Sequence, residues 1–173
     1  MSILNILTYP NDILAIPTKP VTDINEGIIN AISDMGETMY YSNGVGLAAI
    51  QAGIRYSMIV YDETEERDQR NFKELINPRI IKGEGEVLSK DEGCLSVPDF
   101  RADVKRFSAV QVEGFSKEGK PIKIDAEGLL AIIMQHEIDH LNGILFIDRI
   151  GMLKREMYKK KIKRLLKKQA NKS

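Results

Sequence analysis

At 173 residues the chain is long enough to bury a core as one domain without disulfide staples. Its 43% hydrophobic and 29% charged residues are the balance of an ordinary soluble protein and exclude an intrinsically disordered one. Twenty-five basic and twenty-five acidic residues cancel overall but not locally: from Gly151 onward ten Lys/Arg stand against the single acid Glu156, so the body is acidic and the tail basic.

The N-terminal stretch is apolar but has no basic region, since the first lysine is Lys19, and Asn5 interrupts it, so no secretory leader is expected. No segment approaches the roughly 20 apolar residues that span a bilayer, and no membrane partner is expected. Residues 3–7 read as a short extended segment, Pro10-Asn11-Asp12 opens a helical turn, and Pro17 and Pro20 punctuate a loop. From Asp23 or Asn25 to Ser42, Ile24, Ile28, Ile32, Met35 and Met39 recur three or four apart, and Asn43-Gly44 supplies a stop. That spacing predicts an amphipathic helix whose apolar face is core.

Gly44 and Gly46 beside Ala48 and Ala49 lack the Gly-Lys-Ser/Thr that a phosphate loop requires. Small residues here are better suited to letting backbone approach a ligand, with Val45 and Leu47 lining a pocket while the strand edge pairs with a peptide. Gln51, a neutral amide at the end of this stretch, could cap the loop or donate to a carbonyl oxygen. Residues 57–61 read as a strand, and the charged segment 62–70 as a solvated loop. Residues 72–76 and 80–81 suggest two strands joined around Asn77-Pro78, and Gly83, Gly85 and Gly93 make the approach to Cys94 loop-like or bulged. Residues 104–115 alternate as one strand, a turn follows at 117–120, and 122–124 returns as its hairpin partner. The hairpin leads into a helix over roughly 126–142, opened by Asp125 and closed by Asn142-Gly143. A last helix carries Met152, Tyr158, Ile162, Leu165 and Leu166 among its basic residues. The class expected is α+β, with antiparallel strands wrapped around one buried helix and a helix at the C-terminus. The division expected is a catalytic body over 1–150 and a basic helical extension over 151–173.

Both histidines of the chain, His136 and His140, lie four apart around Glu137 in the predicted buried helix. Residues i and i+4 share a helix face, so the two imidazoles can hold one ion while Glu137 faces its open side as a general base. A catalytic site needs three protein ligands and an open position, and no third histidine exists. The single cysteine, Cys94, completes the set as a thiolate. One cysteine forms no internal disulfide, and such a thiolate is safest in a reducing compartment, which points to the cytoplasm.

Three stretches, Gly44-Val45-Gly46-Leu47-Ala48-Ala49-Ile50-Gln51, Glu92-Gly93-Cys94-Leu95-Ser96 and Gln135-His136-Glu137-Ile138-Asp139-His140, resemble the three signature motifs of peptide deformylases, in the family's order. The resemblance implies a hydrolase that removes the N-formyl group from formylmethionine at the start of new polypeptides and releases formate. It implies one divalent metal ion, Fe2+, with nickel or cobalt as functional substitutes, although Cys, His, His by ligand type also suits zinc. It assigns oxyanion binding to the Gln51 amide and the Leu95 backbone N–H, the methionine slot to Val45, Leu129, Ile132 and Ile133, and backbone contacts to Gly46 and Gly93. It also implies that the basic tail docks on ribosomal RNA near the tunnel exit. Asp139 has no ligand role in this scheme and could pair with Arg106 or Arg101, or form an ordinary surface salt bridge. The competing readings are a zinc endopeptidase using the same helix, and a ribosome-binding module with a structural metal. Structural sites normally close with four ligands, so three plus Glu137 favours catalysis.

Overall fold

The computed structural model describes residues 2–64 and 70–170. Helix α1 (Glu26–Tyr41) starts at Asn25, whose side chain accepts the Ile28 N–H, and stops at Ser42, close to the bounds its periodicity predicts. Seven strands follow: β1 (Gly46–Ala48), β2 (Met58–Tyr61), β3 (Lys73–Glu84), β4 (Val87–Cys94), β5 (Val97–Arg106), β6 (Ala109–Phe115) and β7 (Pro121–Glu127). Then come α2 (Gly128–Leu141) and α3 (Met152–Ala170), with single 3-10 turns at Asp12–Ala15, Ala49–Ala52 and Phe146–Asp148. No helix among the described residues is long and apolar enough to cross a membrane.

The strands form an antiparallel five-stranded sheet ordered β1-β2-β3-β6-β7, and a separate antiparallel pair β4-β5. Side chains alternate across a strand, and β2 shows what that does here. Met58 and Val60 pack with Ile28, Ile32, Met35 and Met39 of α1, whereas Ile59 and Tyr61 pack with Ala131, Met134, Ile138 and Leu141 of α2. The sheet is therefore covered on one face by α1 and on the other by α2. Helix α2 is apolar through its first half, Leu129 to Met134, and nearly all of its second half is buried although it carries five polar residues, so the helix is enclosed on most sides. A third cluster joins β5 through Val97, Ala102 and Val104 to Phe146, Ile147, Tyr158 and Ile162, so the first half of α3 is docked against the body.

Several boundaries differ from the sequence reading. Residues 3–7 join no sheet; the Leu7 N–H donates to Gln51 O (2.7 Å) and the Tyr9 N–H to Ser96 O (2.8 Å), tying two motif segments together. The two short strands expected around Asn77-Pro78 are one strand, β3, whose register shifts between Ile76 and Arg79. Proline is tolerated at such an irregularity because no ladder hydrogen bond is needed from it there. The single strand expected over 104–115 is two, β5 and β6, separated at Phe107-Ser108. β4 is a strand rather than a loop, although it is bulged as its glycines suggest. Helix α2 begins at Gly128, not after Asp125: Asp125 still belongs to β7, opposite Gln111. Gly128 has φ 58°, a backbone state that glycine enters at little cost, so strand turns into helix with no capping side chain. The solvated loop expected over 62–70 falls largely on 65–69, outside the described residues.

Candidate metal centre

Two elements converge on one point. β4 ends at Cys94, and α2 brings His136 and His140 to the same place from one helix face. Cys94 Sγ lies 3.2 Å from His140 Nε2, which lies 3.2 Å from His136 Nε2, and all three donor atoms fall within 4.8 Å of one another. Bonds of about 2.0–2.3 Å to a tetrahedral ion would set its ligands roughly 3.3–3.6 Å apart, so the donor set fits one ion.

The orientation of His136 is fixed from behind. Its Nδ1 lies 2.7 Å from Glu92 Oε1, a carboxylate that can only accept, so the ring donates from Nδ1 and keeps the Nε2 lone pair for the ion. Glu92 is in turn held at two points by Arg106, Nε on Oε2 (3.2 Å) and Nη2 on Oε1 (2.5 Å). Burial pushes the Glu92 carboxyl up, but the hydrogen bonds from His136 and Arg106 outweigh it and bring it down to about 2. Burial also pulls His136 down, against the opposing contacts with Cys94 and Glu92, which leave it well above the ordinary range, so an ion would take the Nε2 lone pair by displacing a proton. His140 is drawn well below that range by burial and by the neighbouring His136.

Glu137 is buried beside this cluster, and its Oε2 has no hydrogen-bond partner among the described residues. Burial raises it to about 7 despite the downward pull of His136. Gly46 makes room for it: a Cβ there would stand 2.5 Å from Glu137 Oε1, too close for any real side chain. The glycine that the sequence suggests as backbone near a ligand thus also clears space for the candidate base. Gln51 accepts the Ala48 N–H through Oε1 (2.8 Å), and its Nε2 donates to Ser96 Oγ (3.1 Å) and, at a long 3.6 Å, to Cys94 Sγ. Both roles considered for it are therefore open at once: the oxygen caps the turn while the amide nitrogen faces the site.

A cleft of about 1110 Å³ opens above the cluster, lined among others by Val45, Gly46, Leu95, Leu129, Ile132 and Ile133. Gln51, Gly93, Cys94, His136 and Glu137 also border it. β1 is the first strand of its sheet, so among the described residues its outer edge faces the cleft without a partner strand. Leu47 does not line this space; it is fully buried with α1, because it alternates with Gly46 and Ala48 to the other face.

One feature escaped the sequence reading, and a second was left among alternatives. Gln135, at the head of the histidine motif, accepts the Phe107 N–H (2.8 Å) and donates to Phe107 O (2.9 Å), pinning the β5–β6 corner to α2. Asp139 pairs with Arg106 and not Arg101, and the pair is buried, not a surface bridge: Arg106 Nη1 is 2.6 Å from Asp139 Oδ2. Arg101 pairs instead with Asp91 at 3.7 Å. The signal available in sequence was the alternation of β5, which turns Arg106 inward beside Ala102 and Val104.

The chain matches the family model for polypeptide deformylase over residues 3–156. It is 48% identical to a peptide deformylase of Desulfosudis oleivorans over 167 residues, 96% of either chain. Among solved structures, a peptide deformylase from Legionella pneumophila superposes with a TM-score of 0.88 at 41% identity, covering 98% of each chain. One from Ehrlichia chaffeensis in complex with actinonin gives 0.88 at 35% identity, covering 95% of this chain and 98% of that one.

Proposed function

We propose, from the premise that this chain belongs to the polypeptide deformylase family, a division of labour among the residues around Cys94. The chain is a metal-dependent hydrolase that removes the N-formyl group from newly made polypeptides. The observation that carries the reading is the convergence of Cys94 Sγ, His136 Nε2 and His140 Nε2 at the floor of the cleft, next to Glu137. Those three side chains hold one divalent ion, ferrous iron, for which zinc, nickel or cobalt can substitute. When bound, such an ion polarises the formyl carbonyl and brings water within reach of deprotonation near neutral pH.

Glu137 takes the proton from the attacking water and gives it to the departing amine; a carboxyl poised at about 7 is suited to both halves of that transfer. The Gln51 amide and the Leu95 backbone N–H donate to the oxygen on which negative charge develops. Gln51 can do this at small cost, because its 3.6 Å contact with Cys94 Sγ is the weak one and can be exchanged for a substrate oxygen. Val45, Leu129, Ile132 and Ile133 receive the methionine side chain. Gly46 and Gly93 offer backbone to the peptide, which adds as a strand along the free edge of β1. Residues 1–150 carry the catalytic machinery, and 151–173 are a basic extension anchored to it through Tyr158 and Ile162.

The basic helix α3 is a docking element for ribosomal RNA, which would hold the enzyme where formylated chains emerge, in the cytoplasm. Tyr158 and Ile162 are buried under the body, so the RNA-facing part is the exposed cationic surface beyond them. The test is formate release from a short formyl-Met peptide alongside cleavage of an end-blocked internal peptide. Formate release with no internal cleavage is expected; internal cleavage without formate release would establish an endopeptidase instead.

A further inference from the structure

We propose that Arg149 is a positioning residue for His136, acting through a chain of buried charges; this rests on the reading of Cys94, His136 and His140 as an ion's ligands. Arg149 lies outside all three motifs, directly after the 3-10 turn Phe146–Asp148. Its Nε and Nη2 meet Asp139 Oδ2 and Oδ1, both at 2.5 Å. Asp139 Oδ2 also receives Arg106 Nη1 at 2.6 Å. Arg106 grips Glu92 at two points, and Glu92 Oε1 holds His136 Nδ1 at 2.7 Å. The order is cation, anion, cation, anion, imidazole.

The exposures decide which link can be varied. The side chains of Arg106, Glu92 and Asp139 are 1%, 6% and 9% exposed, whereas that of Arg149 is 42% exposed. Removing Arg106 would strand two carboxylates in a low-dielectric interior, a strongly destabilising change that would report on folding. Removing Arg149 leaves Asp139 still paired with Arg106 but frees one of its oxygens. Arg106 then has to serve both Asp139 oxygens and loosens its two-point hold on Glu92. Glu92 sets the ring plane of His136, so the loss is passed to a metal ligand. Direct outer partners of ligating histidines are worth roughly 10–100-fold in metal affinity. Arg149 acts through three intervening side chains and is partly replaceable by water, so about three- to tenfold is expected.

The experiment uses cobalt-loaded full-length protein as wild type, Arg149→Gln, Arg149→Lys and Arg155→Gln, each first shown to be folded by its thermal melt. Arg155→Gln is the control, because it breaks the neighbouring pair with Asp148 (2.6 Å) without touching the chain of charges. The readouts are the cobalt ligand-field and thiolate charge-transfer bands and the rate of cobalt transfer to a chelator. Arg149→Gln should release cobalt about three- to tenfold faster with altered ligand-field bands. Arg149→Lys, which can contact one carboxylate oxygen at a time, should fall between it and wild type, and Arg155→Gln should match wild type. Wild-type release and spectrum in Arg149→Gln overturn the proposal, as does equal acceleration in Arg155→Gln, which would reduce the effect to a loosened corner. Should Arg149→Gln not fold, Arg149→Lys decides: release at the wild-type rate overturns the proposal. A wild-type protein without a thiolate-to-cobalt band would instead overturn the ligand assignment itself.

Discussion

Helix α2 carries Gln135, Glu137, Asp139 and His140 buried and has no lysine or arginine at all, while α3 exposes most of its cationic surface and, among its described side chains, buries only Tyr158 and Ile162. A buried polar group costs free energy unless something satisfies it, so every polar residue of α2 is tied to a partner or to chemistry. Gln135 holds Phe107, Asp139 holds two arginines, and Glu137 keeps an unpaired oxygen toward the cleft. In α3 most charges stay hydrated, and those with partners, Arg155 with Asp148 and Lys159 with Glu156, are partly exposed. Substitutions in the two helices should therefore differ in both size and kind.

The largest expected effect is in α2. Glu137→Gln should lower kcat/KM by about 10²- to 10⁴-fold, the usual loss when a general acid/base is removed, with metal content unchanged because the three ligands are untouched. Wild-type kcat/KM should rise with pH as Glu137 ionises, with a midpoint at or below about 7, since a cation at the site favours the carboxylate. Steady-state rates across pH with metal analysis check both points. A near-normal rate in a fully metallated variant would remove Glu137 from the mechanism.

Next is the one strongly buried aromatic of α3. Tyr158 is 1% exposed and packs on Phe100 at 4.6 Å between ring centroids, so Tyr158→Ala should cost about 3–5 kcal/mol, in the range for deleting a buried aromatic. Its hydroxyl has no hydrogen-bond partner among the described residues. Tyr158→Phe should then be neutral or stabilising by up to about 1–3 kcal/mol, because a buried hydroxyl without a partner is removed and no bond is lost. Urea melts of the pair separate packing from hydroxyl; a costly Tyr158→Phe would reveal a partner for the oxygen.

Glu92 brings the comparison back to buried charge. Its carboxyl stands at about 2 against an ordinary 4.5, a depression worth roughly 3 kcal/mol at about 1.4 kcal/mol per pKa unit. Because the folded value is the lower one, this stability is fully present above about 4.5 and disappears as pH falls through about 2. Glu92→Gln should lose stability of that order at pH 7 and flatten the acid dependence between those limits. Denaturant melts at pH 7, 4 and 2.5 measure it, and an unchanged acid slope would mean that Glu92 is not the titrating group.

The same contrast explains what was legible in the sequence. Both ends of α1 and the end of α2 could be read, since caps and stops are local chemistry: Asn25, Ser42 and Asn142 act within a turn or two of their own positions. The candidate ligands could be read because i, i+4 spacing on a helix is also local. The start of α2 was missed, because Gly128 lets β7 pass straight into the helix and no cap is needed. The break between β5 and β6 was missed because alternation continues through it; what fixes that corner is Gln135, from a different element. Arg106 could be offered as a partner for Asp139, but the pairing of Asp139 with Arg149, and of Glu92 with His136, depends on which strands and turns lie beside α2, which no spacing rule encodes. Local rules picked out the candidate ligands and saw little of what orients them.

The smallest effect on stability is expected on the exposed surface of α3, where it should accompany a large effect on binding. Lys160, Lys163 and Lys167 are exposed, and Lys160 and Lys163 flank the buried Ile162 without sharing its position in the core. Exchanging all three for glutamine should move stability by no more than about 0.5 kcal/mol per site, the usual range for exposed substitutions away from special features. It should leave hydrolysis of a short formyl-Met peptide unchanged, because none of the three lines the cleft. Association with ribosomes should weaken, and its dependence on salt should flatten by roughly 0.7–0.9 in log-log slope for each phosphate contact removed, since fewer counterions are released on binding. Co-sedimentation with ribosomes at several salt concentrations gives that slope directly. A slope that stayed at the wild-type value would assign α3's charge to solubility alone, and a fall in peptide hydrolysis would mean that this face of α3 supports the catalytic body as Tyr158 does.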